Sequence, residues 1–258
     1  MSPRASTRTP AATPAAIPTG ETPGKRAAVQ RMFAAISPRY DLLNRLLSAG
    51  QDQRWRRRAV RLFGPEVRRV LDVAAGTGDL GAAWLAARPG GELIATDFVP
   101  AMCAAGRAKL AGRPGFRACL VADALALPLA PGCMDGAMVA FGVRNFENLA
   151  AGLAEMARVL RPAGELLVLE FFPPRNPASE RLFRFYFQRV LPRLGGWISG
   201  DAEAYRYLPR SVGDFVDREH FAALLAAAGF AAIRRAECAG GIATAFHAVK
   251  VAPAVRDS

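Results

Sequence analysis

Strand-like and helix-like stretches alternate through the middle of this 258-residue chain, and that alternation limits the fold more than any other feature. Val70-Leu71-Asp72-Val73 is a short buried strand that runs into a glycine-rich turn, and Leu80 to Ala87 is helical. Glu92 to Thr96 is a second strand, ended by Asp97, and Pro100 opens a helix through Leu110, where proline suits a first helical position. Phe116 to Val121, Gly136 to Phe141 and Leu166 to Phe171 are three further strands. Leu149 to Leu160 is a helix stopped by Arg161-Pro162-Ala163-Gly164. Such alternation predicts an α/β fold, a mostly parallel sheet with helices on both faces.

The rhythm changes at both ends. Met1 to about Gly24 is rich in Pro, Thr, Ala and Ser and has no continuous apolar core. Residues 1–26 therefore read as a disordered tail rather than a secretory signal. From Ala27, Val29, Met32, Phe33 and Ile36 recur at helical spacing until Ser37-Pro38, and Asp41 is placed to cap a second helix closed by Gly50. Residues 27–252 form the expected domain, with an insertion over 173–216 and a short disordered C-terminus over 253–258. After the insertion, a helix from Phe221 to Ala228 and strands from Ala231 to Cys238 and Ala243 to Val251 bring the sheet to seven strands.

Composition narrows the setting. The net charge is +12, and much of the excess lies in Arg54, Arg56, Arg57 and Arg58, continued by Arg61, Arg68 and Arg69. That stretch reads either as a solvated helix face or as a patch for an anionic membrane surface. Glu180 to Leu194 is an apolar-faced helix, either packed on the sheet, or a lid over an apolar tunnel, or a membrane contact. The four cysteines make no C-x-x-C pair, so neither disulfides nor a zinc site is expected and a reducing cytosol is the simplest compartment. With only His220 and His247, a histidine-rich metal site is excluded; His247 reads as a satisfied core residue. No apolar run reaches the roughly 18–20 residues that span a bilayer.

Ligands of open parallel sheets bind at the carboxyl ends of the strands. Three features collect there. Asp72 precedes Gly76, Thr77 and Gly78, where glycines let backbone amides approach a ligand. Asp97 ends the second strand, placed to accept two ribose hydroxyls. Asp123 and Ala124 end the third, where a side-chain acceptor beside a backbone amide can read an adenine edge. Gly76-x-Gly78-x-x-Gly81 also fits a dinucleotide such as NAD. Asp72 favours S-adenosylmethionine, because a carboxylate at that point can face a cationic methionine end.

Four stretches then make the sequence resemble the ubiquinone/menaquinone biosynthesis C-methyltransferase family. They are Phe33 to Asn44, Leu71 to Leu80, Phe141-Gly142-Val143-Arg144-Asn145, and Ala204 to Val212 with its Tyr205, Tyr207 and Leu208. The resemblance implies a class I, Rossmann-like S-adenosylmethionine-dependent methyltransferase that methylates a polyprenyl quinol ring. It implies cofactor contacts at Thr77, Asp97, Asp123 and Ala124. A further family contact is a serine where this chain has Ala140, so one hydrogen bond is lost or comes from backbone. Phe171-Phe172-Pro173-Pro174 departs from the family's E-F-S-K-P, so a different substrate entrance is expected.

Ring methylation needs an electron-rich carbon, and deprotonating a quinol hydroxyl provides one. Arg144 and Asn145 are the candidates to bind that oxygen; arginine stays protonated, so it stabilises an oxyanion rather than acting as a base. Tyr205 and Tyr207 either face the ring or fill the core, and Tyr40 and Asp201 are weaker candidates for the same pocket. The expected partner is a lipid quinol, with peripheral contact at the inner face of the membrane, a homodimer left open and no nucleic acid. A natural-product methyltransferase and an RNA methyltransferase are the rival readings.

Overall fold

The structure, a computed structural model, describes residues 17, 19–20, 24–48, 50–173, 180–181, 202–238 and 241–252. Asp201 and nearly all of the helix expected over 180–194 lie outside the described residues, as does most of the expected tail. The first helix, α1 (Lys25–Ile36), begins two residues before the expected Ala27. A 3-10 turn (Ser37–Arg39) joins it to α2 (Tyr40–Leu47), and α3 (Gln51–Val60) follows. Asp41 does not cap α2: Arg39 stands at the cap, and the Asp41 carboxylate is drawn instead to Lys109 and the Thr77 hydroxyl. A cation from a distant helix outcompetes a local backbone amide for a carboxylate.

The sheet is assembled from β1 (Arg69–Val73), β2 (Glu92–Asp97), β3 (Phe116–Val121), β4 (Met134–Ala140), β5 (Leu160–Phe171), β6 (Phe230–Cys238) and β7 (Ala243–Lys250), in the order β3-β2-β1-β4-β5-β7-β6. The first five run parallel and β7 is antiparallel to both neighbours. Helices α4 (Asp79–Ala87), α5 (Pro100–Leu110), α6 (Leu149–Val159), α7 (Ala202–Gly213) and α8 (Arg218–Ala227), with a second 3-10 turn (Val143–Asn145), complete the described elements. Polar caps fix two of them: the side chains of Asn148 and Asp217 accept from the Ala151 and His220 amides. The stop at Arg161-Pro162-Ala163-Gly164 holds, with one difference: the chain pairs with β4 already at Leu160, and Ala163 takes a positive φ to pass the turn.

Alternation of apolar side chains along the strands gives two cores. Leu71, Val73, Val139 and Val168 pack with α6 and α8 on one face. Val70, Leu93, Met138 and Leu167 pack with α3 and α4 on the other. His247 sits between Phe63 and Glu165, its Nε2 2.7 Å from the carboxylate.

The strand order reverses between β1 and β4, so their carboxyl ends diverge and open a crevice. The backbone is strained at that point. Ala74 and Phe141, which follow β1 and β4, have φ of 50° and 59° although neither is glycine. On α5, a Cβ at Gly106 would stand 2.9 Å from the Gly76 carbonyl oxygen, so only glycine lets this helix lie against the loop after β1.

Candidate active site

Two clefts meet above the crevice. The first, about 720 Å³ and open to solvent, lies over the ends of β1, β2 and β3 and is lined by Gly76, Asp97, Asp123, Ala124, Ala140 and Asn145. The second, about 890 Å³, lies beside it over the ends of β4 and β5, and its wall includes Arg144, Phe141, Phe171, Tyr40 and Tyr207. Tyr40, Phe33 and Phe141 line both. A narrow extension between them is bounded by Asp72, Thr77, Arg56, Tyr40 and Ala140.

In the first cleft, Asp97 is held by its own loop: Oδ2 accepts from the Gly76 amide at 2.8 Å and Oδ1 from Val99 at 2.9 Å. Each oxygen keeps a second lone pair for a ligand hydroxyl. Burial pushes this carboxyl up to about 6 against the pull of those two amides. Asp123 accepts the Leu125 amide and is paired with Arg26 at 3.1 Å. The Thr77 hydroxyl is engaged by Asp41 and approached by Lys109 Nζ at 3.2 Å, so its side chain ties the glycine loop to α2 and α5.

Asp72 is fully buried, and neither oxygen has a hydrogen-bond partner among the described residues. Burial pushes its carboxyl up to about 8; the nearby Gly81 amide and the positive charge of Arg56 oppose that without overcoming it. An orphaned carboxyl at the edge of a cleft is a receptor for a cation, because only a cationic or donor-rich ligand recovers the lost solvation.

α1 roofs the first cleft through polar contacts. Lys25, 1% exposed, donates from Nζ to the carbonyls of Arg144 at 2.8 Å and Phe146 at 3.0 Å. Gln30 donates to the Phe98 carbonyl at 2.8 Å. Proline- and threonine-rich sequence just upstream hides the start of this helix, and Lys25 reads there as a tail residue.

In the second cleft Arg144 is buried. Nη1 donates to Glu170 Oε1 at 2.6 Å and to the Phe141 carbonyl at 2.7 Å, and Nε reaches Ser211 Oγ at 3.3 Å. Nη2 has no partner among the described residues. Glu170 is fully buried at the end of β5; burial raises its pKa, and Arg144 is the main opposing influence. Asn145 receives the Tyr207 hydroxyl on Oδ1 at 2.9 Å and faces the first cleft. Tyr207 is 2% exposed, and burial pushes its phenol up to about 12, so it stays a donor. Tyr40 is likewise raised by burial.

The structure therefore brings together Asp72, Gly76, Thr77, Asp97, Asp123, Ala124, Ala140, Arg144, Asn145, Tyr40 and Tyr207. Gly78 is set apart by function: it caps α4, and its position is filled from behind by Leu110. The backbone of Tyr205 lies in α7, but its side chain is outside the described residues. The basic stretch from Arg54 to Arg69 is not one surface. Arg56 is 4% exposed and turns into the second cleft, and Arg69 sits at the start of β1, the end of the sheet away from the clefts. Sequence reasoning missed Glu170 and Arg56 as site residues; the only signals were an acid ending a buried strand and an arginine four residues after an aspartate.

Comparison with known proteins places this geometry. The model of the ubiE/COQ5 methyltransferase family matches residues 21–250. The chain belongs to that family. Among its relatives, the demethylmenaquinone methyltransferase of Thermus thermophilus is 52% identical over 200 residues, covering 77% of this chain and 91% of the relative. The ubiquinone/menaquinone biosynthesis C-methyltransferase UbiE of Syntrophotalea carbinolica is 45% identical, covering 86% and 94%. A solved S-adenosylmethionine-dependent methyltransferase from Aquifex aeolicus shares the fold with a TM-score of 0.59 at 16% identity, over 82% of this chain and 98% of that one. The cofactor is thus S-adenosylmethionine and the fold is class I, which closes the dinucleotide alternative. The residues present fit this cofactor: the orphaned Asp72 carboxyl suits a cationic end, and Asp97 has free lone pairs where a sugar would lie.

Asp72 and Asp97 make stability pH-dependent in a stated direction. Both folded pKa values lie above the unfolded value of 3.8, so the folded state holds protons that the unfolded state gives up. The cofactor-free protein should lose stability as pH rises from about 4 to 8, most of it through Asp72. Asp72→Asn should flatten that fall in urea titrations at a series of pH values. A wild-type and variant pair with parallel pH profiles would contradict the assignment.

Proposed function

We propose that this chain methylates a ring carbon of a polyprenyl quinol, as the names of its relatives describe for demethylmenaquinone and for ubiquinone/menaquinone biosynthesis. One observation supports this above others. A buried, permanently charged arginine with an unused donor lines an apolar, aromatic-walled cleft that shares Tyr40 and Phe141 with the cofactor cleft. An apolar cleft suits a prenylated ring, and a cation in it suits a ring oxygen carrying negative charge.

S-adenosylmethionine supplies an electrophilic methyl group on a positively charged sulfur. Asp72, Asp97 and Asp123 would hold it by its cationic end, its sugar and its base. The Arg144 guanidinium, fixed by Glu170 and the Phe141 carbonyl, binds the quinol oxygen through Nη2 and stabilises the oxyanion that makes the neighbouring carbon nucleophilic. Asn145 and Tyr207 fix the wall next to Arg144. Phe141 and Tyr40 keep water from the junction of the two clefts. Arg144 stays protonated throughout, so the hydroxyl proton lost before attack and the ring proton that the methyl group replaces both leave to water.

The burial of Arg144 decides how it is tested. Arg144→Ala strands Glu170 in the core and should cost about 3–5 kcal/mol of stability, enough to confuse a folding defect with a catalytic one. Arg144→Lys keeps a cation beside Glu170. It should fold and bind S-adenosylhomocysteine normally yet lose about 10²–10³ in turnover, because a point ammonium cannot serve Glu170 and the ring oxygen together. Near-wild-type quinol methylation by Arg144→Lys would remove this role.

Peripheral membrane contact rests on a smaller surface than the arginine-rich stretch suggested. On α2, Leu42 is 51% and Leu46 37% exposed, and exposed Arg57 and Arg61 border a groove shared with Arg45. Exposed leucines on one helix beside exposed arginines of the next suit an anionic interface. Co-sedimentation should rise with anionic lipid, fall with salt and weaken in Leu42→Ser/Leu46→Ser. Equal, negligible binding to neutral and anionic vesicles would sink this reading.

A further inference from the structure

The second cleft holds two guanidinium groups, and the proposed chemistry so far uses one. Arg56, on α3, is 4% exposed, more deeply buried than Arg144 at 8%. Its Nη1 donates to Asp52 Oδ2 at 2.7 Å. Asp52 is itself 3% exposed and is fixed by Arg45 at 3.0 Å and the Ser48 hydroxyl at 2.8 Å. The Nε of Arg56 is buried and has no partner among the described residues.

Its arrangement repeats that of Arg144. Phe141 and Phe171 are stacked, ring centroids 4.4 Å apart, and form an aromatic floor with Trp55 edge-on to both. The Arg56 guanidinium lies 5.2 Å from the centre of the Phe141 ring, and that of Arg144 lies 5.7 Å from the centre of Phe171. Each ring of the stacked pair thus carries one arginine. Each arginine is anchored by a buried carboxylate, Asp52 or Glu170, and each leaves a donor unused. A buried ion pair is costly to keep and often replaceable by apolar residues of the same volume. Two of them facing one cleft, both with idle donors, call for a ligand with two acceptors.

We propose that Arg56 binds the second oxygen of the substrate ring, so that Arg144 and Arg56 together select a ring bearing two oxygens over one bearing a single free hydroxyl. This rests on the quinol reading above and deepens it. With both oxygens held, the ring has one orientation on the aromatic floor, and the carbon presented to the first cleft is fixed. The same chemistry has a second source of oxyanion, the carboxylate at the amino-acid end of the cofactor, because Arg56 also borders the narrow extension that holds Asp72.

The test compares a short-chain prenyl quinol with the corresponding phenol, which keeps the hydroxyl beside the methylated carbon and lacks the second oxygen, in wild type, Arg56→Gln, Arg56→Lys and Asp52→Asn. Wild-type failure on the quinol would defeat the parent reading rather than this one. Arg56→Gln should lower kcat/KM for the quinol by about 100-fold while changing the phenol by less than about threefold, since only the quinol offers Arg56 a second oxygen. Arg56→Lys should recover part of the quinol rate. Asp52→Asn, which keeps Arg56 and frees it, should also narrow the preference for quinol over phenol, and it serves if Arg56→Gln fails to fold. S-adenosylhomocysteine affinity should stay within about threefold in every folded variant. An unchanged quinol preference in Arg56→Gln, or in Asp52→Asn where Arg56→Gln fails to fold, would overturn the proposal. So would a loss of S-adenosylhomocysteine binding with 5′-methylthioadenosine binding intact, which would assign Arg56 to the cofactor carboxylate.

Discussion

A guanidinium cannot shed its charge, so wherever Arg144 is buried the fold must supply a counter-charge and acceptors around it. Glu170 supplies the charge from the end of β5, Phe141 its carbonyl from the end of β4, and Ser211 its hydroxyl from α7. The backbone carbonyl of the same arginine then receives buried Lys25, which sets the roof helix α1 in place. One residue thereby ties two strand ends, a helix of the second half of the chain and the first described helix to the point where the two clefts meet. The strained φ at Phe141 is held by the same contacts: its carbonyl is committed to Arg144 and its amide to the Leu169 carbonyl.

The two clefts have opposite electrostatic character, and this follows from which strands they cover. Strands β1, β2 and β3 end in or lead to Asp72, Asp97 and Asp123, so the first cleft is acidic and partly desolvated. It suits a cationic cofactor, whose charge repays the burial that holds Asp72 and Asp97 above their ordinary pKa. The ends of β4 and β5 with α3 contribute Arg144 and Arg56 over stacked Phe141 and Phe171, so the second cleft is apolar and cationic. Placing a sulfonium beside one wall and an oxyanion beside the other lowers the cost of bringing electrophile and nucleophile together in a site with little water.

Much of this was legible because it is local. Strands β1 to β5 announce themselves by short apolar runs, each of the cofactor-side acids marks a strand end, and the Phe141-Gly142-Val143-Arg144-Asn145 run falls where β4 meets the crevice. What escaped depends on distant partners. Asp41 reads as a helix cap until Lys109 and Thr77, far along the chain, are brought to it. Arg56 is hidden among neighbouring arginines that are exposed; only tertiary packing shows that this one turns inward onto Phe141. Glu170 looks like the polar edge of an apolar strand, and its meaning appears when Arg144, 26 residues earlier, lies 2.6 Å away. Lys25 sits where low-complexity sequence gives way to helix, and no periodicity marks a single buried lysine.

The central claim is that the arginine-lined cleft activates a reduced ring for attack on a methyl group held in the acidic one. It is tested most directly by incubating the purified protein anaerobically with methyl-labelled S-adenosylmethionine and a short-chain prenyl quinone, in its reduced and its oxidised form, and locating the label by NMR. Label is expected on a ring carbon next to a hydroxyl, from the reduced form alone. Label on oxygen, or equal labelling of the oxidised ring, would contradict that claim.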